Sequence, residues 1–302
     1  MAVLQNYYQS VYSCPVVDLT GYTAKWGLSC HLYAYLNFGG PTGTAKDSLA
    51  EGMLSLALQK GALSPGQPVL EAGSGAFAAA LCIAARRSGH PVILVVPPTL
   101  SGERQIHLQQ LGAELVFSME ALETSHNDLA AFAASTAQQR GAYFIDCFSN
   151  DDNPEFHRRL TGPAILAATH GGDDIDAIVT GVGTGGTITG VGEHTKAWTN
   201  HIRMVAVEPY ESQALSGGFI GRHGIPGIGV GFVPQNYNPY IVDIRMAVPT
   251  GEALAAAQEV LLTDAIPACA SAGAALFAAR QLMEQGRSKN ALCIFSGRQL
   301  YG

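Results

Sequence analysis

Charge is scarce in this sequence: Asp, Glu, Lys and Arg together make up 14% of its 302 residues, and no run of Lys and Arg exceeds two. With a net charge of −7, the chain offers no basic surface, so neither a nucleic acid nor an anionic membrane is expected as a partner. Long hydrophobic runs are missing as well. The stretch PVILVVPP at 91–98 is far shorter than the ~20 residues a membrane helix needs. The opening MAVLQNYYQS has neither a basic start nor an apolar core, so no secretory leader is expected and a cytoplasmic location is. There is no CxxC, HxxxH or HExxH, and no metal site is expected. The six cysteines at 14, 30, 82, 147, 269 and 293 are read mostly as reduced packing residues. Repeats, low-complexity tracts and obvious linkers are also lacking.

What the chain has in quantity is apolar residues, 47%, and glycine, 35 residues spread without a period. That balance suits a large buried core with many tight turns. Short apolar runs read as buried strands at 68–70, 92–96, 114–117, 142–145, 175–180, 203–207 and 291–295. Alanine-rich amphipathic stretches between them read as helices, for example 76–88, 102–111, 122–139 and 252–262, with Ser101 as an N-cap. The alternation predicts an α/β protein with mainly parallel sheets.

Four segments could carry chemistry. In Gly40–Asp47 a glycine-rich turn opens into a helical stretch with Lys46 at its entry. A lysine kept from water loses its proton and condenses with an aldehyde; a surface lysine after a loop looks the same in sequence. In Val179–Gly190 a strand runs into VGTGGT, where bare backbone N–H groups at Gly183, Gly185 and Gly186, with the hydroxyls of Thr184 and Thr187, suit a phosphate. The same stretch satisfies the dinucleotide fingerprint through Gly181, Gly183 and Gly186, with Glu208 at the end of the next strand, so an NAD-dependent oxidoreductase is an alternative. The loop Gly73-Ser74-Gly75-Ala76-Phe77 lies between a strand and a helix, as an anion-binding loop or a plain tight turn. Ser296-Gly297 follows the last strand, where α/β ligands collect.

In order and over nearly the whole chain, these segments resemble the fold type II family of pyridoxal 5′-phosphate (PLP) enzymes, which includes cysteine synthase, cystathionine β-synthase and, more distantly, threonine synthase. Ser13–Val17 resembles the opening N-T-P-L-V, Gly40–Asp47 the lysine segment, and Gly183–Thr187 the phosphate loop G-T-G-G-T without change. Val207-Glu208-Pro209 with Ser212, Leu215–Gly218 and Gly227–Pro234 resemble further family stretches. The resemblance implies two three-layer αβα domains of the tryptophan synthase β type, with PLP in the cleft between them. It places 1–40 plus 150–302 in a larger phosphate-binding domain and 41–149 in a smaller, mobile substrate-loop domain. It puts the Schiff base on Lys46, the phosphate on Gly183–Thr187 with Gly229 nearby, the pyridine nitrogen at Ser296 and the substrate on Gly73–Phe77 and Cys147.

The implied reaction is β-elimination or β-replacement on an O-activated serine-like amino acid, through an aminoacrylate, with a nucleophile as second substrate. A homodimer is implied too. The substrate loop departs from the family: Ala76 stands for an asparagine that contacts the cofactor, Phe77 for a threonine, and Cys147 for a glutamine. Altered substrate choice in specialised amino-acid metabolism follows, or, alternatively, a catalytically weak PLP-binding partner protein.

Overall fold

The computed structural model describes residues 7–118 and 126–299. In chain order the strands are β1 (Val16–Asp18), β2 (Leu32–Leu36), β3 (Val69–Ala72), β4 (Val92–Val96), β5 (Ala113–Phe117), β6 (Tyr143–Phe144), β7 (Ala177–Gly181), β8 (Arg203–Pro209), β9 (Ile244–Val248) and β10 (Ala291–Phe295). They form one six-stranded and one four-stranded sheet, in two compact units: Met1–Ala45 with Asn153–Gly302, and Lys46–Asp152.

The six-stranded sheet has the order β1-β2-β10-β7-β8-β9, and every pair is parallel except β1 with β2. Its central strands are apolar on both faces because both faces are covered. Ala177, Val179, Val205, Val207, Ala291, Cys293 and Phe295 point one way, into a cluster with helices Thr250–Asp264 and Ala270–Glu284. Ile178, Met204, Ala206, Leu292 and Ile294 point the other way, to Ile165 and Leu166 of Gly162–Ala168 and Ile188 and Val191 of Gly186–Trp198. Period-2 alternation in each strand thus makes the three layers. Each fully buried Ile, Leu or Val contributes about 1.5–3 kcal/mol of transfer free energy.

The two helices on the first face pack closely because they are built of alanine and glycine. A Cβ on Gly273 would lie 2.0 Å from the Ala253 carbonyl oxygen and 2.9 Å from the Ala257 Cβ. Gly273→Val is therefore expected to destabilise the protein by about 1–3 kcal/mol through overpacking, read as a lower denaturation midpoint. An unchanged midpoint would show that the helix pair can separate at no cost.

In the second unit the sheet order is β5-β4-β3-β6, all parallel. Leu70, Ala72, Ile93 and Val95 pack on Ala133 and Ala137 of helix His126–Arg140. The opposite face, with Val92, Leu94 and Val96, is buried as well, and helix Ala76–Arg87 packs on β3 and β4 with Lys46–Gln59 behind it. Ser101 caps helix Gly102–Gln110 by accepting from the Arg104 N–H. Residues 122–125 of the helix expected from 122 lie outside the described residues. The apolar runs do not announce β1, β2 or β9; β1 and β9 are the edges of the six-stranded sheet and only partly buried, whereas β2 lies inside it between β1 and β10.

Candidate cofactor and substrate site

In the larger unit, β7 leads through 182–185 into helix Gly186–Trp198, whose N-cap Gly185 has φ +84° and which no side chain caps. A Cβ on Gly186 would lie 1.9 Å from Asn153 Oδ1, so only glycine lets the loop sit against its support. Behind the loop, the Gly229 N–H donates to the Val182 carbonyl at 3.0 Å, and Asn153 Nδ2 donates to Thr184 Oγ1 at 3.0 Å. The result is an uncapped helix N-terminus, preceded by glycines and flanked by two threonine hydroxyls. That donor set fits a phosphate.

β10 runs parallel to β7 in register, Cys293 opposite Val179, so Ser296 leaves the sheet at the same C-terminal end of the strands as the glycine loop. Ser296 Oγ lies 3.4 Å from Ser271 Oγ, itself 3.1 Å from Cys269 Sγ. The segment before the lysine is pinned here: Ala45 N–H donates to the Ser296 carbonyl at 2.8 Å, Arg298 N–H donates to the Gly43 carbonyl at 3.0 Å, and Thr44 bridges Gly297. Lys46 is the next residue in the chain.

Lys46 opens helix Lys46–Gln59 in the smaller unit. Its side chain is half-buried, and desolvation pulls its amine below the ordinary lysine pKa, with the nearby Cys147 acting weakly in the other direction. Such an amine gives up its proton more readily than an exposed lysine does, as a base or nucleophile must. Cys147 is buried, and burial together with Glu71 pushes its thiol well above the usual range. It is a protonated thiol at neutral pH.

Two residues brace the loop Gly73–Phe77. Glu71, at 2% exposure, accepts the Ala72 N–H at 2.9 Å and the Cys147 N–H at 3.2 Å. Burial pushes its carboxyl up to about 8 despite those donors. Arg104 donates from Nε to the Ser74 carbonyl at 2.8 Å and from Nη2 to the Gly75 carbonyl at 3.1 Å. The Gly73 N–H donates to the Val95 carbonyl at 2.8 Å, while the N–H groups from Ser74 into the uncapped start of helix Ala76–Arg87 form a donor set that suits an anion. Ala76 is exposed, whereas Phe77 is 7% exposed and turned inward.

Neither Glu71 nor Arg104 stands out in the sequence, and nor do Asn153 and His157 behind the Gly183–Thr187 loop. The one available signal was Arg104's place three residues after the Ser101 cap. Glu208, which the NAD alternative needs for a ribose, is 1% exposed and holds the Leu215 N–H at 2.8 Å and the Ser216 hydroxyl. That alternative is not supported.

Residues 8–297 match the family described as pyridoxal-phosphate dependent enzyme, and the chain belongs to it. A cysteine synthase of Staphylococcus aureus is 33% identical over 294 residues, 96% of this chain and 93% of that protein. Among solved structures, O-acetylserine sulfhydrylase isoform 3 from Entamoeba histolytica matches with a TM-score of 0.88 and 32% identity, over 98% of this chain and 89% of its own. An O-ureido-L-serine synthase matches with a TM-score of 0.87 and 28% identity, over 99% and 92%. The protein is thus a PLP-dependent enzyme of the cysteine synthase family.

Proposed function

We propose that the protein catalyses β-replacement on an O-substituted serine, with a thiol-like nucleophile as second substrate, and β-elimination when water takes the nucleophile's place. The observation that carries this is the desolvated Lys46 amine at the entry of its helix. PLP, when bound, accepts the electron pair left by the substrate's α-proton. Gly183–Thr187 hold its phosphate, and Ser296 offers a neutral hydroxyl to its ring nitrogen. A hydroxyl does not enforce a ring cation as a carboxylate would, which favours prompt loss of the β-substituent. Lys46 Nζ, whose pKa desolvation lowers, takes the α-proton as general base. The backbone N–H groups of Ser74–Ala76 hold the substrate carboxylate, the Gly73 N–H being spent on the Val95 carbonyl. Cys147, protonated and short, stands where the family resemblance implies a longer amide, and Ala76 exposes no polar group; together they shape which O-substituent is accepted.

Holoprotein is to be titrated with O-acetylserine, O-phosphoserine, serine, cysteine and threonine in turn. A change in its visible absorbance with an O-substituted serine, and turnover when sulfide is added, is the expected result. No change with any of the five would overturn the proposal. The relatives are enzymes by name, and nothing favours a non-catalytic binding protein. A homodimer and a cytoplasmic location belong to the same proposal; among the described residues no helix is long and apolar enough to cross a membrane.

Arg104→Gln tests the carboxylate part. It is expected to raise the donor KM about tenfold, the scale of lost charge-assisted hydrogen bonds, while leaving the PLP spectrum unchanged. An unchanged KM would remove Arg104 from substrate binding.

A further inference from the structure

The threonines of the phosphate loop have buried partners behind them that the reaction does not use. Asn153 and His157, one helical turn apart, are 0% and 1% exposed. Asn153 lies in helix Asp152–Phe156, and His157 opens the π-helical turn His157–Thr161. Such wide turns concentrate at functional sites. The His157 ring packs edge-on against Phe156, with centroids 5.1 Å apart at 75°. It sits between two hydroxyls: Nδ1 is 2.8 Å from Thr161 Oγ1, and Nε2 is 3.1 Å from Thr187 Oγ1.

A neutral imidazole has one proton, so it donates to one of these hydroxyls and accepts from the other. If Nε2 accepts, the Thr187 proton points backward and the loop presents oxygen lone pairs to an anion that can only accept. If Nε2–H donates, the Thr187 oxygen is satisfied from behind and its own proton goes to the phosphate. Asn153 already treats Thr184 in the second way, because an amide nitrogen only donates.

We propose that Asn153 and His157 are positioning residues for the cofactor: His157 holds the Nε2–H tautomer, set by the Thr161 hydroxyl donating to Nδ1, so that both Thr184 and Thr187 are obliged to give their protons to the PLP phosphate. This rests on Gly183–Thr187 being the phosphate loop. The chain Thr161 to His157 to Thr187 is one ordered line of donors, and Asn153 to Thr184 is a second, shorter one.

The tautomer can be read without a mutation. Nitrogen-15 NMR of histidine-labelled holoprotein is expected to show His157 protonated at Nε2 and bare at Nδ1; a proton on Nδ1 would overturn the proposal. Dissociation of PLP from holoprotein, followed by visible absorbance, supplies the second readout. Asn153→Asp turns the donor into an acceptor and is expected to weaken PLP binding about tenfold or more. Thr161→Val removes the hydroxyl that sets the tautomer, so the Nε2–H form is no longer enforced and PLP binding is expected to weaken as well. The controls Thr184→Val and Thr187→Val separate the two layers of the claim. If neither weakens PLP binding, the loop assignment fails and this proposal with it. If they do but Asn153→Asp and Thr161→Val do not, the loop stands and the positioning role is wrong.

Discussion

Lys46→Ala abolishes the covalent hold on PLP and lowers turnover at least about 10³-fold, the combined scale of a lost general base and a lost covalent anchor. The size follows from the surroundings. The amine is desolvated, which lowers its pKa and eases its deprotonation, and the neighbouring thiol of Cys147 stays protonated and cannot take the proton in its place. Lys46→Arg is expected to fail equally, since a guanidinium neither deprotonates nor condenses with an aldehyde. The checks are the visible absorbance of the variant after incubation with PLP and the rate of sulfide-dependent product formation. A variant that keeps both the colour and the rate would place the cofactor elsewhere.

Raising the pH from 5 to 8 lowers the stability of the wild-type protein relative to Glu71→Gln. The carboxyl of Glu71 rises from 4.5 in the unfolded chain to about 8 in the folded one. Between these values the folded state holds a proton that the unfolded state has released. Stability then falls as pH rises, by up to about 1.4 kcal/mol per unit, and levels off above about 8. Glutamine does not titrate, so its variant lacks this slope. At pH 5 the wild type is the more stable, because Glu71 fits between the Ala72 and Cys147 N–H groups while glutamine turns an NH₂ toward one of them. The gap narrows by a few kcal/mol toward pH 8. Denaturant unfolding of both proteins across this range is the measurement. Parallel curves would mean that Glu71 is ionised in the folded state throughout.

Legibility followed burial pattern. β4 and β10 are readable to the residue because both of their faces are covered, and a strand covered on both sides is a continuous apolar run. β1 and β9 are edge strands with mixed exposure and leave no such run. The π-helical turn at His157–Thr161 has no composition that announces it. Lys46, Gly183–Thr187 and Ser296 stood out because each sits in a local context, glycines before a helix or a polar residue after an apolar strand, that the backbone requires wherever a ligand approaches.

The bracing residues have no such context. Glu71 meets Cys147 across 76 positions, Arg104 meets Ser74 across 30, and His157 meets Thr187 across 30. A polar side chain's role is set by which group lies opposite it, and that depends on the path of the whole chain. The order of apolar runs, alanine-rich helices and glycine loops was enough to determine an α/β protein and the loops proposed to meet its cofactor. Only the tertiary structure decided what holds those loops in shape, because a buried hydrogen bond is directional and close-range and is defined once the strands have brought its two ends together.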